Sequence, residues 1–172
     1  MLVRWNKRFN LTAIREETAI VERHYCESLF LGTHLSQGHL RIADVGSGAG
    51  FPGVPVAVLR PDCAVTLIES HQRKAVFLRE STRGLGNVRV LSKRAEEVED
   101  GFDWAISRAV DCGDIDTALR RLAGKVAILG GETEPTLTGF TWQSPIQLPW
   151  GRHRYLWVSR ETKDTDDVSR ET

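Results

Sequence analysis

Between Ile42 and Gly53 the chain reads Ile42-Ala43-Asp44-Val45-Gly46-Ser47-Gly48-Ala49-Gly50-Phe51-Pro52-Gly53, an apolar run leading straight into four glycines. Glycines at that density let the backbone turn sharply and let a ligand approach it closely, because no Cβ stands in the way. A merely tight strand-to-helix turn needs fewer. The amides that open the following helix would also attract an anionic group. Glu69 ends the next apolar run, Thr66-Leu67-Ile68-Glu69, where a carboxylate could accept both hydroxyls of a ribose. Arg94-Ala95-Glu96-Glu97 precedes a fourth apolar run, and Ser107-Arg108-Ala109 closes it.

Three ligands compete for such a loop. A phosphate-gripping NTPase loop needs Lys-Ser/Thr after its last glycine, and Val54-Pro55 stands there. A dinucleotide fingerprint starting at Gly46 would put its third glycine at Phe51. The pattern is met only from Gly48, with Pro52 where a phosphate-facing amide would serve. S-adenosylmethionine carries no phosphate and tolerates a looser turn, which the D-x-G-x-G-x-G spacing from Asp44 suits better. Glu69 does not separate this ligand from NAD.

Around the loop, short apolar runs alternate with helical segments. Strands are predicted at 40–45, 65–69, 88–91, 104–107 and 126–129, and helices at 54–60, 73–85, 95–99 and 115–122. This alternation implies βαβ units, hence a mostly parallel sheet with helices on both faces. Its carboxyl edge is where the loops after successive strands would gather a ligand. Residues 11–35 read as one amphipathic helix capped by Thr12 or Thr18, with Ile20, His24, Leu31 and Leu35 on one stripe. Phe140–Trp142 and Tyr155–Val158 are expected to close the sheet edge as an antiparallel pair. The organisation is therefore one α/β domain over 1–159, a helical part (1–38) followed by the sheet core (39–159). The polar stretch 160–172, which contains a second copy of Val-Ser-Arg-Glu-Thr, reads as a disordered tail.

Composition narrows the class. The 172 residues hold 23 Lys+Arg against 23 Asp+Glu, which argues against a uniformly basic coat. The local balance is different: 71–94 carries seven basic residues and only Glu80, leaving Arg79 and Arg83 on an exposed track able to meet phosphates. Cys26, Cys63 and Cys112 are odd in number and widely spaced, pointing to a reducing, cytoplasmic compartment without disulfides or a zinc site. No apolar run approaches the roughly 20 residues of a membrane span.

Six motifs together resemble one family. They are Trp5-Asn6-Lys7-Arg8-Phe9-Asn10-Leu11-Thr12-Ala13-Ile14, Arg23-His24 with Glu27-Ser28-Leu29, the glycine loop, Phe77-Leu78-Arg79, Arg94-Ala95-Glu96 and Ser107-Arg108-Ala109. In this order, over about residues 4–130, the chain is similar to the RsmG (GidB) family of small-subunit ribosomal RNA guanine-N7 methyltransferases. The resemblance implies a class I S-adenosylmethionine-dependent methyltransferase fold, Rossmann-like, preceded by an N-terminal helical segment. It implies methyl transfer to N7 of one guanine in 16S rRNA, free or in the small ribosomal subunit; separately, no stable protein partner is inferred and a monomer is expected. Cofactor contacts would fall at Gly46, Gly48 and Phe51, at Glu69 on the ribose, at Ala95 and Glu96 beside the adenine, and at Arg108.

Guanine N7 has an in-plane lone pair and no proton, so no catalytic acid or base is assigned. His24, Ser28 and Asn10, with Arg79 and Arg83, are the candidates for the substrate side. Two positions depart from the family pattern: Glu27 stands for an aspartate, and Gly130-Gly131 for a lysine-glycine pair. The alternatives are a methyltransferase on another substrate, or a truncated, inactive module of the same fold.

Overall fold

The computed structural model describes residues 1–108 and 112–160. The predicted alternation appears as β1 (Arg41–Val45), α4 (Gly53–Leu59), β2 (Ala64–Ile68), α5 (Gln72–Ser81), β3 (Val88–Leu91), a single 3-10 turn (Ala95–Glu97), β4 (Phe102–Arg108), α6 (Cys112–Leu122) and β5 (Ala123–Gly130). Before them come α1 (Leu2–Phe9), α2 (Glu17–Ile20) and α3 (Glu27–Thr33); β6 (Ile146–Gln147) and β7 (Tyr155–Val158) follow. Among the described residues the strands form one sheet in the order β3-β2-β1-β4-β5-β7-β6, parallel from β3 to β5 and antiparallel at β7 and β6. The order reverses between β1 and β4, so the loops leaving their carboxyl ends diverge and open a crevice.

The strands are apolar because helices cover both faces. Ile42, Val65, Leu67 and Ile106 pack towards α3 and α4, in a core that also takes Leu2, Leu11, Ile20 and Leu31 from the N-terminal helices. Ala43, Val45, Ile68, Ala105 and Val126 face α6.

Three expectations are corrected. Residues 11–35 are not one helix. The chain stays open until Glu16, whose carboxylate accepts the Thr18 and Ala19 N–H groups as the cap of α2 in place of Thr12 or Thr18. The helix then widens into a π segment, Val21–Cys26, before α3. The strand beside β7 is Ile146–Gln147, not Phe140–Trp142; of the latter only Trp142 pairs, in a single bridge to Ser159. Pro145 and Pro149 flank that short edge strand without occupying it, as a residue lacking an N–H must. Arg160, counted with the tail, is tied to the fold by its own N–H to the Thr141 carbonyl and its Nε–H to that of Trp142. The expectation for 161–172 lies outside the described residues, as does Ala109.

Candidate functional site

The glycine loop is held from three directions. The Gly46 and Ser47 N–H groups both donate to the Ile68 carbonyl of β2, at 3.0 and 3.1 Å. Glu69, just past β2, accepts from the Gly48 N–H on Oε2 (2.8 Å) and from the His71 N–H on Oε1 (2.7 Å). Asp44, fully buried, accepts from the Gly53 N–H on Oδ2 (3.0 Å). Gly46 has φ 73°, a left-handed conformation that a side chain disfavours. At Gly53 the reason is space: a Cβ there would lie 2.4 Å from Leu67 Cδ2 and 2.5 Å from Asp44 Oδ2. Asp44 Oδ1 is buried without a partner among the described residues, and burial pushes this carboxyl up to about 7.

Above the loop lies a cavity of about 470 Å³, walled on the far side by the N-terminal segment. His24, 2% exposed, stands in that wall with its ring stacked on Phe51 at 4.6 Å. Both its nitrogens are engaged: Nδ1 accepts from the Arg108 guanidinium, so Nε2 carries the hydrogen and donates to Thr12 Oγ1 at 2.8 Å. Burial, reinforced by the charges of Arg108 and Arg23, lowers His24 to about 4, which makes it neutral. Thr12 is itself fixed by Asn6, whose side chain donates to the Thr12 carbonyl (3.0 Å) and accepts its N–H (2.9 Å).

The third component is ionic. Glu27, buried on α3, accepts two hydrogen bonds from Arg154, Nε to Oε1 at 3.0 Å and Nη2 to Oε2 at 2.8 Å; Arg108 Nη1 stands 3.8 Å from Oε2. Burial lowers Arg108 to about 10, while Glu27 acts the other way, so Arg108 remains a cation at neutral pH. Arg23, Lys74, Arg108 and Arg154 therefore give the cavity wall four positive groups.

The cavity gathers Gly46, Gly48, Phe51, Glu69, Arg108 and His24 of the expected residues. Ala95 and Glu96 are outside its lining, on the 3-10 turn after β3, with both carbonyls accepting from Arg121. Ser28 is turned away: it is fully buried and its hydroxyl donates to the His24 carbonyl one turn back. Asn10 is the exposed left-handed cap that ends α1 and does not line the cavity. Arg79 and Arg83 miss it because α5 runs away from the carboxyl edge, so its first turn brings Lys74 to the cavity. α5 ends at Ser81, and Arg83 beyond it pairs with Glu80 at 3.0 Å. Asn6, Thr12, Arg23, Lys74 and Arg154 were missed as site residues. Arg154 had no local signal, being 127 positions from its partner. The available clue was Glu27, a carboxylate on the apolar stripe four residues before Leu31, which requires a cation from elsewhere.

Comparison with known proteins agrees with this architecture. The sequence matches the GidB family, described as rRNA small subunit methyltransferase G, over residues 1–132. It is 42% identical over 139 residues to the ribosomal RNA small subunit methyltransferase G of Xanthomonas campestris pv. campestris (strain B100), a stretch covering 78% of this chain and 60% of that protein. It is 47% identical over 113 residues to the Chromobacterium violaceum protein of the same name, covering 63% of this chain and 54% of the other. The chain thus spans less than two thirds of the length of these relatives. Among solved structures, a SAM dependent methyltransferase from Aquifex aeolicus superposes with a TM-score of 0.66 at 16% identity, over 85% of this chain and 94% of that one. Ribosomal protein L11 methylase from Lactobacillus delbrueckii subsp. bulgaricus superposes with a TM-score of 0.61 at 16% identity, over 80% and 79%. The fold is that of the S-adenosylmethionine-dependent methyltransferases, and with the sequence matches it places this chain in the GidB family.

Proposed function

We propose that this chain transfers a methyl group from S-adenosylmethionine to N7 of a guanine in 16S ribosomal RNA, acting as a cytoplasmic monomer on free RNA or on the small subunit. The observation that carries the reading is a single cavity in which the glycine loop and Glu69 face four cations and a histidine with no free nitrogen. The residues suit the cofactor. Each Glu69 oxygen accepts one backbone N–H and keeps a second lone pair, leaving two acceptors for two ribose hydroxyls. Asp44 beneath the loop places a carboxylate, unpartnered on one oxygen among the described residues, where a nearby positive charge would favour its ionised form. Ala95 and Glu96 are assigned to the adenine end on the family pattern.

When bound, the cofactor supplies a methyl group activated by a positively charged sulfur. The chain's own contribution is alignment and exclusion of water. Phe51 and His24 form one rigid stacked surface, and Leu11 and Ile14 add apolar wall. His24 is neutral, doubly hydrogen-bonded and therefore no base, which matches a nucleophile with no proton to lose. Arg23 and Lys74 attract the phosphates of an RNA strand.

The test incubates the purified chain with methyl-labelled S-adenosylmethionine and either small subunits or free 16S rRNA from a strain lacking the modification. Labelled 7-methylguanosine and borohydride/aniline cleavage at one position are expected. Cofactor binding with label only in another molecule assigns the chemistry to a different substrate. No heat on titrating the cofactor makes the chain a non-catalytic module.

A further inference from the structure

Residues 1–15 hold Arg4, Lys7, Arg8 and Arg15 and no carboxylate. None of the four forms a salt bridge among the described residues, whereas Arg83 and Arg89 are paired with Glu80 and Asp100. Arg4 and Arg8 lie one turn apart on α1, and with Trp5 and Phe9 they line a surface hollow of about 390 Å³. The helix is anchored from the other side: Leu2 is buried, and Trp5 packs on Phe77 of α5 with ring centroids 5.5 Å apart. Phe9 remains 38% exposed, 5.3 Å from Trp5.

We propose that this face of α1 is a docking track for single-stranded RNA next to the target nucleotide, Arg4 and Arg8 taking phosphates and Phe9 stacking a base. The inference rests on the rRNA reading above and adds the surface that holds the strand. Charge complementarity carries it, together with continuity. α1 leads along the chain into Leu11–Ile14 of the cavity wall, and Asn6, on the Leu2 side of the helix, clamps Thr12, which in turn holds His24. A strand seated on α1 would rest on the helix that carries, on its other side, the Asn6 clamp of the cavity wall. A lipid surface fits less well, because the helix spends Leu2 and Trp5 on the core.

The experiment measures binding of the purified full chain to free 16S rRNA across a KCl series, alongside methylation kinetics. Arg4→Gln/Arg8→Gln is expected to lower the slope of log K against log[salt] by about 1.4, two contacts at about 0.7 each. It should raise KM for RNA with kcat and cofactor affinity unchanged. Phe9→Ala is expected to lose about five-fold or more in affinity at every salt concentration. An unchanged slope in the double variant, with methylation intact, overturns the track and leaves the function standing. Loss of binding to anionic phospholipid vesicles with RNA binding unchanged overturns it in favour of a lipid surface. A reduced slope in a chain that never methylates RNA supports the track and sinks the function.

Discussion

Glu27→Gln tests whether the cavity wall is organised by one buried charge. The substitution keeps the volume and removes the counter-ion of two guanidiniums, Arg154 at 2.8 and 3.0 Å and Arg108 at 3.8 Å. The Glu27 side chain is 1% exposed, against 23% for Arg154 and 11% for Arg108, so neither arginine can turn fully to solvent without leaving the wall. Breaking a buried pair by removing one partner costs about 3–5 kcal/mol, mostly because the remaining charge is uncompensated. That is a large part of a total stability of about 5–15 kcal/mol. In urea, with a slope of about 2 kcal/mol per molar, the unfolding midpoint should fall by about 2 M. Glu27→Gln/Arg154→Met should recover part of the loss, since the second change removes one orphaned charge, giving a coupling of about 1–3 kcal/mol. A loss under about 1 kcal/mol at unchanged slope, with the double variant no better than the single, would refute Glu27 as a desolvated counter-ion.

Gly53→Ala should destabilise the chain by about 1–3 kcal/mol and weaken cofactor binding by calorimetry, because its Cβ would press on Leu67 and Asp44 at 2.4–2.5 Å and move the loop; a variant as stable as the parent would contradict the contact. The pH profile of stability should separate two buried groups acting in opposite directions. His24, lowered from 6.5 to about 4, contributes stability above about pH 6.5 that is lost as pH falls towards 4. Asp44, raised from 3.8 to about 7, contributes stability below about pH 4 that is lost as pH rises towards 7. In thermal melts between pH 4 and 7, His24→Gln should therefore make the chain gain stability more steeply on acidification, and Asp44→Asn should turn the profile into a loss; parallel profiles for all three proteins would contradict both assignments.

Much of the glycine-loop side of the cavity was legible in the sequence alone. The glycines after β1, Glu69 at the end of β2 and Arg108 at the end of β4 are local features, each written within a few residues of a strand whose apolar run marks it. In a parallel sheet, strands with adjacent order bring such ends together, so β1, β2 and β4 are enough to assemble Gly46, Glu69 and Arg108. The wall formed by the N-terminal segment was less legible. A helical repeat puts Ser28 on the same face as His24, but not whether its hydroxyl looks into the cavity or back to a carbonyl; it looks back.

What the sequence determined by itself was the strand–helix alternation and the position of the glycine loop and of Glu69 at strand ends, because hydrophobic period and glycine content act within one element. What only the tertiary structure decided was which distant charges meet. Arg154 reaches Glu27 across 127 residues because β7 pairs antiparallel with β5 beside α3. Arg79 and Arg83, prominent in the sequence, are carried away from the cavity by the direction of α5, while Arg4 and Arg8 of α1, without a salt bridge among the described residues, line a hollow of their own. Charge is counted along the chain, but its effect depends on burial and on partners, and those are set by the path the chain takes through space.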